Sequence, residues 1–259
     1  MSNIYLELTR QFNAGRLRAV ISSGQAVVLH RLAIMSKDGD WILREEAETM
    51  QHVLAVLGER GARYRFGAPL DLRWMRGGWS AHLEFQLMPL RVRTDFVTRP
   101  PRLDPSALAR LWQNAEPDAP IGLVPLAEIK KTNREKDYAV IGELARLMPD
   151  PAEQLLYSRS ARDLLRLAEQ HPHLVDEVAA RRPLLRDAAA GRARLEEALD
   201  AERRKLIRAN EERLARYREA ATRWADAWPS IDRELAGRPL AAAHEIVTER
   251  ALELLPFEP

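Results

Sequence analysis

The chain has 259 residues, 46% hydrophobic and 30% charged, enough to bury one core and to begin a second. That composition excludes extended disorder, a collagen-like fibre and a disulfide-stapled miniprotein, and the lack of any cysteine excludes disulfides, thiolate zinc sites and a cysteine nucleophile. Forty basic residues against 38 acidic ones leave a formal net charge of +2, too close to balance for a generic pull toward nucleic acid or membrane.

The N-terminal segment lacks a basic lead followed by an apolar block, and no run approaches the roughly 18 apolar residues a membrane span needs, so a cytoplasmic, non-membrane protein is expected. Arginines outnumber lysines 35 to 5, which reads as the signature of a GC-rich genome rather than of guanidinium chemistry.

In chain order, the patterning predicts a strand over residues 19–22, a helix over 25–33, a strand over 41–43 and a helix over 45–59. Further strands are expected over 62–66, 80–87 and 90–98. The last two alternate polar with apolar residues and flank Pro89, as sheet neighbours do. Pro149 and Pro151 bracket a break that places a domain boundary at residue 148. The expected architecture is therefore α+β: a small mixed sheet with flanking helices over 1–148, followed by an all-helical domain over 149–259. Within that second part, 192–228 runs without Pro or Gly and carries an apolar stripe of Leu195, Leu199, Leu206, Leu214, Tyr217, Ala221, Trp224 and Trp228. Such a helix suits a bundle, or a seam for a homodimer or another partner.

Three acidic residues stand out by position. Asp38 and Asp40 lie two apart before an apolar run, and on an extended backbone both point to one side. Asp95 sits in the middle of the best-patterned strand, where a carboxylate needs a cation or a donor beside it. Three convergent carboxylates form a hard oxygen site suited to one or two Mg²⁺ ions bridging a triphosphate. Upstream, Ser22, Ser23 and Gly24 make a small-residue turn between a strand and a helix, a place where free amides can cradle a phosphate. Each feature also has a plainer reading: a cap or solvated turn for Asp38 and Asp40, an ion pair with Arg91, Arg93 or Arg99 for Asp95, and an ordinary N-cap for Ser22 or Ser23.

Taken in order, the apolar strand, the Ser-Gly turn, the 13 intervening residues, the Asp-x-Asp pair and the later strand Asp resemble the nucleotidyltransferase superfamily of the DNA polymerase β type, including its minimal and antiviral-toxin-like branches. Residues 126–138, with Lys130, Lys131 and Arg134-Glu135-Lys136-Asp137, are similar to a segment of many bacterial nucleotidyltransferase-like proteins. The resemblance covers about residues 15–148. It implies Ser23 and Gly24 as the phosphate turn, Asp38 and Asp40 as the metal pair, and Asp95 as the third carboxylate and the base for the acceptor. Lys130 or Lys131 would face the nucleotide phosphates, with Arg134, Lys136 and Asp137 holding a helix against the sheet. The implied cofactor is Mg²⁺, the substrate a nucleoside triphosphate, and the acceptor a hydroxyl on protein, RNA or a small molecule. Two residues depart from the family pattern: bulky Gln25 after Gly24, and Gly39 where an apolar residue normally separates the acids.

Two other classes compete. A catalytically decayed relative would act as a binding module through its helical half. A metal-dependent nuclease would use Asp71 with Glu84 and Gln86. The segment Arg73, Trp74, Arg76, Gly77, Gly78 and Trp79 reads as a basic aromatic loop able to stack on a base, whereas His171 and His173 lack the neighbours a zinc site requires.

Overall fold

The computed structural model describes residues 3–259. Up to residue 121 the chain forms α1 (Ile4–Phe12), β1 (Ala19–Ser22), α2 (Ser23–Leu29), β2 (Asp38–Leu43), α3 (Ala47–Gly58), β3 (Arg63–Tyr64), α4 (Leu72–Arg76), β4 (Ala81–Leu87), β5 (Leu90–Val97) and α5 (Pro105–Asn114). Helices follow: α6 (Leu123–Ile129), α7 (Glu135–Leu147), α8 (Pro151–Tyr157), α9 (Ala161–Gln170), α10 (Pro172–Ala179), a 3-10 helix (Pro183–Ala190), α11 (Arg192–Ala220), α12 (Thr222–Leu235) and α13 (Leu240–Leu254). The fold is α+β, a mixed sheet with flanking helices and then a helical C-terminal region, as the patterning predicts. Among the described residues no helix is long and apolar enough to cross a membrane.

The five strands are ordered β1-β2-β5-β4-β3, with β2 and β5 parallel and the other pairs antiparallel. Alternation fixes the faces. Ile21, Trp41, Leu83 and Phe96 are fully buried with Leu8 and Phe12 of α1, while the intervening residues of β2, β4 and β5 are mostly polar. Trp41 stacks on Phe96 with ring centroids 5.5 Å apart, and its indole N–H donates to Thr9 Oγ1 at 2.9 Å.

The chain divides into two compact units, Met1–Ile121 with Ala215–Pro259, and Gly122–Leu214. The break expected at residue 148 lies inside the second unit. There Pro151 opens α8, Asp150 caps it by accepting from the Ala152 N–H at 2.9 Å, and Met148 is buried, so the two prolines mark a joint between packed helices rather than a linker. The helix expected over 192–228 is two helices. At the break Ala221 has ψ near 2°, and the Thr222 hydroxyl donates to the carbonyls of Arg218 and Glu219, a local competitor for helical bonding.

Candidate functional site

In the parallel pairing of β2 with β5, Asp38 stands beside Arg93 and Asp40 directly beside Asp95. The carboxylates expected to act together therefore share one face of two adjacent strands. On the opposite face, Gly39 lies under aromatic rings: a Cβ there would come 2.4 Å from Tyr5 Cδ1 and 2.5 Å from Trp41 Cη2. Gly39 is thus required by close packing and does not loosen the strand. Tyr5 donates to the Lys37 carbonyl at 3.0 Å. Its phenol is pushed above its ordinary value, first by burial and then by Asp38, Asp40 and Asp95.

Cations already attend the acids. Antiparallel pairing sets His82 of β4 opposite Asp95, and the Arg65 N–H donates to the His82 carbonyl, which brings Arg65 to the same place. Arg65 Nη1 donates to Asp95 Oδ1 at 3.1 Å, and His82 Nδ1 lies 2.8 Å from that oxygen without hydrogen-bond alignment. His82 Nε2 shares a 2.8 Å hydrogen bond with the Ser80 hydroxyl, and its ring lies so close to Gly67 that a Cβ there would be 2.5 Å from His82 Cδ2. Arg93 Nη1 stands 3.6 Å from Asp38 Oδ1, a buried oxygen with no hydrogen bond.

Further along the face Glu84 is 2% exposed. Burial alone would raise its pKa, but Arg91 and Arg63 outweigh that and hold the carboxyl below its ordinary range.

Sequence patterning singled out the three aspartates but not Arg65, His82 or Ser80. The signal was available in the β4–β5 hairpin. Leu87 pairs with Leu90 across Met88 and Pro89, and counting back from that turn puts His82 opposite Asp95.

The Ser-Gly turn opens α2. Ser23 has φ +47°, the left-handed region that L residues other than Asn and Asp seldom adopt. Ser22 makes no side-chain cap, its hydroxyl donating instead to the Asp40 carbonyl at 3.3 Å. Gly24 leaves room for Ser36, whose Oγ would be 2.3 Å from a Cβ. Gln25, the departure from the family pattern, is buried, and its amide donates to the Ser36 carbonyl at 3.0 Å. It ties the turn to the segment that leads into β2.

Other expected residues have different uses. Lys130 and Lys131 belong to the second unit. Lys130 is buried with its Nζ 3.3 Å from Asp137 Oδ1, and Lys131 pairs with Glu128 at 2.6 Å while burial lowers its pKa. Asp137 also accepts from the Thr132 hydroxyl and from Arg134, so this cluster joins α6 to α7 rather than holding a helix against the sheet. Asp71 caps α4 and pairs with Arg73 at 2.8 Å, and Glu84 is surrounded by arginines, which leaves the nuclease set without a free carboxylate pair. The basic aromatic segment is mostly α4. Trp74 and Trp79 are buried, and their indoles donate to the carbonyls of Leu255 and Pro256 instead of stacking on a ligand.

No protein-family model and no curated protein matches the sequence. By structure the chain is similar to the crystal structure of a "putative nucleotidyltransferase from H. pylori", 12% identical, with 82% of this chain and 98% of that chain covered and a TM-score of 0.38. A likeness that distant carries no argument about activity.

Among the described residues no three His, Cys, Asp or Glu side chains converge as a ready-made cation cage. What the face does offer is three carboxylates on adjacent strands, with a buried Asp38 oxygen that no N–H or O–H satisfies.

Proposed function

We propose that the polar face of β2 and β5 is the site of a Mg²⁺-dependent nucleotidyltransferase, which moves a nucleoside monophosphate from a triphosphate onto a hydroxyl of a protein, an RNA or a small molecule. One observation carries the reading: the strand register that puts Asp40 beside Asp95, with Asp38 two residues before on the same face. Asp38, Asp40 and Asp95 would hold the ion, which when bound would supply positive charge against the phosphates. Ser23 and Gly24 are the residues assigned to the triphosphate, next to Asp40 through the Ser22 hydroxyl. Arg93 and Arg65 sit where they can offset negative charge as it develops on the transferring group. Asp95 is the acceptor's base in this reading, and His82 and Arg65 orient it.

The test is incubation of the full chain with each α-labelled nucleotide and a cell extract, following label into protein, RNA and small molecules. Asp40→Asn and Asp95→Asn are expected to cut transfer by about a hundredfold or more while thermal unfolding stays cooperative. Unchanged transfer in both variants would remove the face from the mechanism.

A second reading, a non-catalytic module of the same shape, is favoured by Arg65 and Arg93 already occupying the cation positions beside Asp95 and Asp38. Calorimetry with ATP, GTP, CTP and UTP in Mg²⁺ separates the two: binding of none points to the module.

A further inference from the structure

The second unit contains a cavity of about 880 Å³ between the start of α7, the start of α9 and the first half of α11, within the roughly 300–1,000 Å³ typical of small-molecule sites. Its walls include Arg159, Arg162, Arg192 and Arg203. They also include four carboxylates, each paired with an arginine: Glu135 with Arg203, Asp200 with Arg203 and Arg204, Glu196 with Arg192, and Glu197 with Arg194.

Positive charge is left over on the α9 side. Arg162 has no ion pair or hydrogen bond among the described residues. Arg159 is 11% exposed and pairs with Glu202, a carboxylate that Arg182 also takes at 2.9 Å and 3.0 Å. The group of Arg159, Arg182, Lys131, Glu202 and Glu128, in which Arg182 is buried and the others half-buried, thus holds three cations and two carboxylates. An excess charge of that kind is costly away from water unless an anion meets it.

Two further features agree. The Nε atoms of Arg159 and Arg203 are buried without any hydrogen-bond partner. Ser160 caps α9 through the Asp163 N–H at 3.2 Å, which leaves the amides of Ala161 and Arg162 at the positive end of a ten-residue helix.

We propose that this cavity binds a small phosphate-bearing molecule, its phosphoryl group held by Arg159, Arg162 and the first turn of α9. Guanidinium groups and helix-start amides together match the charge and the several acceptor oxygens of a phosphate monoester. The site lies wholly in the second unit and stands or falls apart from the carboxylate face of the first.

The experiment is calorimetry on the full chain with inorganic phosphate and with phenyl phosphate, in EDTA so that no divalent ion takes part. Saturable binding is expected, weakened about tenfold in Arg162→Ala and at least as much in Arg159→Gln. Arg162 is exposed, so its variant keeps the fold, and thermal unfolding checks the Arg159 variant. Absence of saturable binding, or equal binding by wild type and Arg162→Ala, would overturn the proposal. So would an RNA oligonucleotide that binds through these arginines where the two phosphates do not.

Discussion

Between α1 and β1 the Asn13 side chain closes four hydrogen bonds to main chain. Its amide donates to the carbonyls of Ala19 at 2.9 Å and Pro117 at 2.8 Å, and its oxygen accepts from the N–H groups of Arg18 and Ala19, both at 2.8 Å. Asn13→Ala leaves those buried groups unpaired and is expected to cost about 2–3 kcal/mol in urea unfolding. Gly39 is a second position where one atom decides. The neighbours of an added Cβ are the rings of Tyr5 and Trp41, held between strand and helix, so Gly39→Ala is expected to destabilise by about 1–3 kcal/mol as a lower thermal midpoint. At Gly24 the near atom is the Ser36 hydroxyl, which can rotate away, so Gly24→Ala should cost less. From sequence, Gly39 reads only as a departure from the family pattern between Asp38 and Asp40. Its actual role comes from side chains 34 residues before it and two after it, a contact that local pattern does not encode.

At the scale of elements, β3 meets α13 through Tyr64 and His244. The Tyr64 hydroxyl, kept protonated by burial that raises its pKa, accepts from the Leu70 N–H at 3.1 Å and shares a 2.8 Å hydrogen bond with His244 Nδ1. Burial first of all lowers the His244 pKa, favouring its neutral imidazole. A histidine depressed in the folded state contributes stability that is present above its unfolded pKa of about 6.5 and lost as pH falls through its lower folded value. The thermal midpoint is therefore expected to fall between pH 7.5 and 5 by more in wild type than in His244→Gln, and parallel pH profiles would sink the idea. The strands were legible because period-two alternation is a local property, and so were the acids that β2 and β5 carry, though not their pairing. The helical assignments were less so. The long stripe over 192–228 matches one helix, and only the Thr222 hydroxyl bonding back to Arg218 and Glu219 shows why it breaks there.

At the scale of the whole molecule, the first unit takes its core from both ends of the chain. Trp224, Ile231, Leu235, Leu240, Ala243, Val247, Ala251 and Leu255 pack in one cluster with Trp41, Leu57, Trp74 and Phe96. A fragment of residues 1–148, the domain expected from the proline break, lacks all eight and is expected to show no cooperative unfolding and little near-ultraviolet circular dichroism. A sharp transition from that fragment would refute the division into units. Sequence by itself determined the α+β class, the order of the strands along the chain, the helical remainder and the three aspartates worth watching, because strand alternation and helix periodicity are written residue by residue. Tertiary structure alone decided that Asp40 stands beside Asp95, that Arg65 and His82 attend them, that Lys130 and Lys131 serve a buried ion-pair cluster, and that the last 45 residues complete the first unit's core. Each of these is a pairing between distant segments, set by which buried surfaces and charges find partners when the chain closes on itself.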